Sequence, residues 1–246
     1  MDFEKYIGEP DKDRVISAMR RQKVDRVPNS EGLIEDKHVE KMLGRYAGNT
    51  MSIGGDMAKG DTDTENMRPM HAKDFIEVCQ IIGQDAISVA ELWTPFKKMD
   101  ENGKWVQVFD RSVKNIEDFR KLKMPDDTEI NKAVKYVREY KEAVSGTKIG
   151  VAFGGGCICQ TLYEFVVGME DFMMACYEDR DFIEEIMEIS TEYWIKFYKA
   201  IIAEGVDIFS VGDDIAFKTG LFIPPTQDGP DDRACCRSRN TSWFPL

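Results

Sequence analysis

Three times along this chain a helical pattern runs into a glycine and a short β-rich segment follows. That repeat limits the fold more than any other feature. The first unit runs from Asp74 to Ile82, stops at Gly83 and continues as Asp85-Ala-Ile-Ser-Val89. The second runs from Asn131 to Ser145, stops at Gly146 and continues as Lys148-Ile-Gly-Val-Ala-Phe153. The third runs from Asp179 to Glu204, stops at Gly205 and continues as Val206-Asp-Ile-Phe-Ser-Val211. A glycine just past a helix takes the left-handed cap conformation, and short apolar segments of this kind read as buried parallel strands. Alternation of helix and strand predicts a parallel sheet, either an open doubly wound sheet or a barrel. Val24-Asp-Arg-Val-Pro-Asn-Ser-Glu-Gly32 is expected to supply an earlier strand, which makes four, half of an eight-stranded barrel.

The longest helix shows its period plainly. Phe182, Ile186, Ile189, Tyr193, Phe197 and Ile201 form one stripe, widened by Ile183, Met187, Trp194 and Ile202. The glycine stops lie roughly 60 residues apart, about twice the ~30 of a minimal βαβ unit. Insertions account for the surplus: a hairpin from Phe96 to Phe109 around Glu101-Asn-Gly103, and an extra short helix from Glu170 to Tyr177. Met169, Met173, Met174 and Met187 fall at helical spacing and are expected in the core.

Charge and cysteine content narrow the function classes. With 33 Lys+Arg against 45 Asp+Glu the net charge is −12, which argues against a nucleic-acid backbone as partner. A hydrophobic share of 42% suffices for a core, and no apolar stretch reaches the ~18–20 residues of a membrane helix. Met1 opens directly onto Asp2, Glu4 and Lys5 with no signal segment, so a soluble cytoplasmic protein is expected. The six cysteines (Cys79, Cys157, Cys159, Cys176, Cys235 and Cys236) do not read as a disulfide framework in a chain of this length. From Thr226 the helical and strand periods end, and Cys235-Cys236 sits among arginines. Residues 226–246 are expected to be an aberrant tail, either disordered or translated out of the ancestral frame, after a barrel half spanning 1–225.

Several segments together resemble the uroporphyrinogen decarboxylase family, which includes the heme-pathway decarboxylase and corrinoid-dependent methyltransferases. Arg14-Val-Ile-Ser-Ala-Met-Arg20 with Val24-Asp-Arg-Val-Pro28 is similar to the family's opening helix and first strand. Gln160-Thr-Leu-Tyr-Glu-Phe-Val-Val-Gly-Met-Glu-Asp-Phe172, then Tyr177-Glu-Asp-Arg-Asp-Phe182, resembles its mid-chain signature. Gly212-Asp-Asp-Ile-Ala-Phe-Lys-Thr-Gly220 through Pro224-Pro225 resembles the methyltransferase branch and is the most specific match. The resemblance covers about residues 12–225 and implies a (β/α)8 TIM barrel, here truncated after about four strands.

The departures from the family decide between its branches. Where the decarboxylase carries two arginines that grip substrate carboxylates, this chain reads Asn29-Ser-Glu-Gly-Leu-Ile-Glu-Asp36, an acidic stretch that would repel a polycarboxylate. The decarboxylase's catalytic aspartate falls near Glu91, and its pocket tyrosine falls at Phe165, which lacks the hydroxyl. In the methyltransferases the resemblance implies zinc held by a His-x-Cys pair and a later Cys, all in the second half of the barrel. Neither His38 nor His71 has a Cys two residues on. No metal ligand is therefore assigned to this chain.

In a barrel, chemistry sits where strands end. Glu31 and Glu35 follow the first expected strand, Glu91 the second, Cys157 and Cys159 the third, and Asp213 with Asp214 the fourth. Glu91, Asp213 and Asp214 are the candidates for catalysis, as cation ligands or as a general acid of raised pKa. The plainer alternative for Asp213 or Asp214 is a cap on the next turn. Glu31, Tyr163 and Phe165 are candidate substrate contacts, with a core tyrosine as the alternative for Tyr163. Cys157-Ile-Cys159 after Gly154-Gly-Gly156 supplies two thiols where a closed zinc site needs four ligands, so a tight buried turn is the better reading. The glycine run matches neither nucleotide fingerprint. His71 reads as a surface or capping residue ahead of the helix at Asp74. The ten acidic residues from Glu164 to Glu192, with Arg180 the one base, read as a solvated helix face or a surface for a basic partner.

These features and the resemblance imply methyl transfer involving a corrinoid protein, impaired in this chain. Asp213, Asp214, Glu91 and Tyr163 would line the substrate mouth, with zinc and a corrinoid partner in the intact relative. One alternative is uroporphyrinogen decarboxylation in porphyrin and heme biosynthesis, with Glu91 stabilising a pyrrole intermediate. The other is a non-enzymatic half-barrel that covers its open edge by homodimerising or by binding another chain.

Overall fold

A computed structural model describes residues 6–32, 34–47, 51–53, 70–91 and 94–222. The expected tail at 226–246 lies outside them. The chain falls into two interleaved compact units, one made of residues 1–93, 126–156 and 197–212, the other of 94–125, 157–196 and 213–246.

The first unit is built on a parallel sheet of β1 (Met51–Ile53), β2 (Ala86–Glu91), β5 (Gly150–Gly155) and β6 (Ile208–Ser210), which neighbour each other in that order. Strand order follows chain order without reversal. Right-handed crossovers then place the connecting helices on one face, which is barrel winding and lacks the switch point of a doubly wound sheet. The expected helices are present as α3 (Ala72–Ile82), α5 (Thr128–Ala143) and α7 (Arg180–Ala203), preceded by α1 (Lys12–Met19) and α2 (Asp36–Leu43). Gly83 closes α3 at φ 69°, and Gly146 and Gly205 are also left-handed, as the glycine stops required.

Alternation along the strands divides the sheet's two faces. Val151 and Phe153 are buried, and Phe153 meets Phe197 of α7 with ring centroids 5.6 Å apart. On the other face, a Cβ at Gly150 would stand 2.8 Å from the Cβ of Lys12, so glycine is what lets α1 approach the start of β5. Two aspartates pin that approach. Asp85, fully buried just before β2, accepts hydrogen bonds from Arg14 and Arg26 and from the amides of Asp11 and Asn29. Asp207, just before β6, pairs with Lys12 and Lys141, each at 2.8 Å, and accepts from the Val151 amide.

The strand expected over 24–32 does not form; β1 takes its place in the sheet. Pro28 has no N–H to give a ladder. The Arg26 guanidinium and the Asn29 amide donate to the Asp85 carboxylate instead, while Asn29 donates its side-chain amide to the Ile82 carbonyl. The segment is held by these side-chain bonds and by one backbone bond, from the Asp85 amide to the Asn29 carbonyl (2.8 Å), without strand pairing.

The second unit contains the predicted hairpin, β3 (Lys97–Met99) antiparallel to β4 (Trp105–Gln107), with Gly103 left-handed at φ 76° in its turn. Asp100 organises that turn by accepting from the amides of Asn102 and Lys104. There follow α4 (Ile116–Phe119), a π-turn (Leu162–Val166), the extra helix α6 (Met169–Glu178), the first part of α7, and a two-residue hairpin of β7 (Ala216–Phe217) and β8 (Gly220–Leu221). Its core gathers Phe96, Phe119, Leu162, Phe172, Phe182 and Ile186. The α7 stripe is buried as its period required except for the half-buried Ile189, and Ile202 at its margin is 41% exposed. Of the four methionines expected in the core, Met187 is buried, Met173 packs against the cluster, and Met169 and Met174 stand exposed on α6. Helical spacing puts residues on a shared face without fixing whether another element covers it.

Among the described residues no helix is long and apolar enough to cross a membrane.

Candidate functional site at the end of β5

Beyond β5 the chain turns sharply through Gly156 (φ 71°) into Cys157 and the segment 158–167. A helical segment beginning near Gln160 leaves its first N–H groups without partners inside the helix. Asp213 supplies them. One oxygen accepts from the amides of Cys159 (3.1 Å) and Gln160 (2.7 Å), the other from Ile158 (2.9 Å) and Cys159 (3.0 Å). Burial pushes the Asp213 carboxyl up, against the pull of the Gln160, Cys159 and Ile158 amides. The Thr161 hydroxyl adds a bond to the Cys157 carbonyl at 2.6 Å.

Tyr163 is 3% exposed and its hydroxyl donates to the Asp214 carbonyl at 2.7 Å. Burial, then the nearby charge of Asp214, holds its ionisation well above the ordinary tyrosine range. Its ring packs edge-on against Phe172 and Phe222. Asp213 and Tyr163 therefore fasten the 213–214 segment to the 158–163 turn by two separate contacts. The Asp214 side chain stays exposed. Gln160 donates to the Glu164 carboxylate at 2.9 Å on the same turn.

Phe165 is buried with its ring edge-on to Phe109, centroids 5.3 Å apart, and so serves the core of this unit. Cys159 is buried and Cys157 half-buried, which agrees with the tight-turn reading. Burial, with Asp213 and Glu164 nearby, pushes the Cys157 thiol up to about 12, so it is neutral at physiological pH.

Glu31 and Glu91 belong to the first unit. Glu91 ends β2, where its backbone pairs with Gly155, the last residue of β5, so it stands at a strand end as expected. Glu31 is exposed, and its carbonyl accepts from the buried Gln84 side chain at 3.1 Å; it follows no strand, because 24–32 is not one. His71 is exposed at the N-cap position of α3 and makes no side-chain capping bond. His38 is exposed on α2. Among the described residues no group of three or more His, Cys, Asp or Glu could hold a metal ion.

Sequence reasoning did not single out Arg111 or Lys114, although Arg111 donates to the carbonyls of Glu164 (2.8 Å) and Phe165 (2.9 Å). Neither spacing nor composition marks a residue that acts by bonding a backbone some fifty positions away.

A parallel sheet wound without reversal, with its polar turn at a strand's C-terminal end, defines a barrel-type α/β protein. A family model for uroporphyrinogen decarboxylase (URO-D) matches residues 97–227, just over half of the chain. The chain belongs to the uroporphyrinogen decarboxylase family. Among solved structures it is similar to a methyltransferase from Methanosarcina mazei, with a TM-score of 0.56 and 17% identity over 87% of this chain. At that identity the likeness speaks for the fold, a partial barrel of the family type. The chain spans 62% of the length of that methyltransferase. No curated protein matches the sequence.

Proposed function

We propose that this chain serves methyl transfer involving a corrinoid protein, within the methyltransferase branch of its family. The observation that carries this reading is the chemistry at the positions where the resemblance puts the decarboxylase's substrate grip. Glu31 is exposed in an acidic stretch in place of an arginine pair, and Phe165 has no hydroxyl and packs into the core. A porphyrinogen bearing several carboxylates would be repelled at the first position and unassisted at the second. The methyltransferase fold of the Methanosarcina mazei protein supports the same choice.

Zinc, which the resemblance implies for the intact relative, does not fit the described residues. Among them no group of three or more His, Cys, Asp or Glu could hold the ion. The roles proposed here therefore rest on the chain's own groups. Asp213 positions the mouth, because its two oxygens accept from the amides of Ile158, Cys159 and Gln160. Tyr163 holds the Asp214 backbone. The exposed Asp214 carboxylate is the proposed substrate-facing group of this turn. An acceptor gives up a proton as it takes a methyl group, and Asp214 is suited to receive it.

Titration of the full chain with methylcobalamin and separately with uroporphyrinogen III, followed by tryptophan fluorescence, tests this. Saturable binding of methylcobalamin and none of uroporphyrinogen is expected. Saturable uroporphyrinogen binding with release of carbon dioxide, or no response to methylcobalamin, overturns it.

A further inference from the structure

Residues 158–167 are held at both ends by groups remote in sequence. At the start Asp213 takes three amides. At the end four successive carbonyls are each taken by the loop at 111–114. The Arg111 side chain donates to Glu164, the Arg111 amide to Phe165 (2.9 Å), the Val113 amide to Val166 (3.2 Å), and Lys114 Nζ to Val167 (3.2 Å).

Two irregularities coincide with this contact. Leu162–Val166 is a π-turn, closed by the Val167 amide on the Leu162 carbonyl, and such turns carry one residue more than an α-helical path and recur at functional sites. Arg111 itself sits at φ 57°, one of two non-glycine residues with positive φ among the described residues. The other, Arg21, lies just past the end of α1, an ordinary place for that conformation; Arg111 lies in a loop with no such excuse. Its side chain runs over Gly168, where a Cβ would stand in ordinary contact with Arg111 carbons at 3.6 Å, and it is the φ of 99° that calls for glycine there.

We infer that the 111–114 loop is a clamp that fixes the register of the π-turn, and that Arg111 is a positioning residue for the mouth. A π-turn relaxing to α-helical register would turn Tyr163 by about one residue step, roughly 100°. Its hydroxyl would then leave the Asp214 carbonyl, and of the two contacts that fasten the 213–214 segment only that of Asp213 would remain. The role in ligand binding rests on the reading of this mouth as the substrate site, whereas the clamp itself does not.

The test uses the full chain labelled with ¹³Cζ-tyrosine, the Tyr163 resonance being assigned by its loss in Tyr163→Phe. Arg111→Gly accepts the left-handed backbone and removes the guanidinium. In that variant the Tyr163 resonance should move toward that of exposed tyrosines such as Tyr177 and titrate at lower pH. Tyr140, buried in the other unit with its hydroxyl on the Met70 carbonyl, should not change. Methylcobalamin affinity should fall at least tenfold. Arg111→Lys, which keeps the cation but not the Nε donor, should show the same shift in smaller degree and serves if the glycine variant fails to fold. An unchanged Tyr163 resonance in both folded variants, or equal movement of Tyr163 and Tyr140, would overturn the clamp. A shifted Tyr163 with methylcobalamin affinity unchanged would overturn Arg111's part in binding. If the wild-type chain does not bind methylcobalamin at all, the functional reading fails and the resonance alone decides the clamp.

Discussion

Replacing Asp85 with asparagine should loosen the first unit by an amount that its contacts allow to be worked out. Asp85 is fully buried, and its oxygens accept from Arg14 (2.5 Å), Arg26 (2.8 Å) and the amides of Asp11 (2.8 Å) and Asn29 (3.0 Å). Asparagine keeps the shape but removes the charge, and it turns one acceptor into an NH2 group facing donors. Breaking a buried ion pair by altering one partner costs about 3–5 kcal/mol. Two features place this case toward the lower end. Arg14 retains Asp25 through two hydrogen bonds, and Arg26, 24% exposed at its side chain, can be hydrated. The expected loss is about 3–4 kcal/mol. At ~1.4 kcal/mol per tenfold, amides of β2 and β5 that exchange through opening of this unit should exchange about two to three decades faster. Native-state hydrogen exchange by NMR measures this directly. Rates within threefold of wild type would refute the assignment of Asp85 as the carboxylate that ties residues 11–29 to the sheet.

Three further outcomes follow from the same contacts. Gly150→Ala should destabilise by about 1–3 kcal/mol, since the new methyl meets the Cβ of Lys12 and not a flexible end; urea denaturation checks it. Asp207 and Asp213 should give opposite pH dependence. Burial of Asp207 is outweighed by hydrogen bonds from Lys12 and Lys141, so its pKa is lowered and its contribution is lost as pH falls from the ordinary carboxylate range through the folded value. For Asp213 the folded state holds the proton more tightly, so stability falls as pH rises from the ordinary value to the raised one. Thermal melts of Asp207→Asn and Asp213→Asn against wild type across the acid range should show each slope removed. With its thiol pushed up to about 12, Cys157 should react with iodoacetamide at pH 8 roughly a thousandfold more slowly than a free thiol, as peptide-resolved mass spectrometry would show; near-normal reactivity would contradict its burial.

Fold and site were legible in the sequence to different degrees. Three helix–glycine–strand units were readable because a left-handed glycine, a 3.6-residue stripe and a short apolar run each leave a local mark. The strand at 24–32 misled because its composition suits a strand, while its fate was decided by Asp85, more than fifty residues away, and by the missing N–H of Pro28. Met169 and Met174 misled in a similar way, since periodicity names a face but not what covers it. At the site, position after a strand pointed to Asp213, and the structure shows it capping the turn at 158–160. Arg111 stayed hidden because neither its backbone conformation nor its carbonyl partners are written in residue type.

The most direct measurement of the central claim supplies [methyl-¹³C]methylcobalamin and a thiol acceptor to the full chain, with Asp214→Asn beside it, and follows the label by NMR. Wild type should move label to sulfur faster than buffer does, and the variant should move it more slowly than wild type. Transfer no faster than buffer in wild type, together with turnover of uroporphyrinogen III by the same preparation, would contradict it.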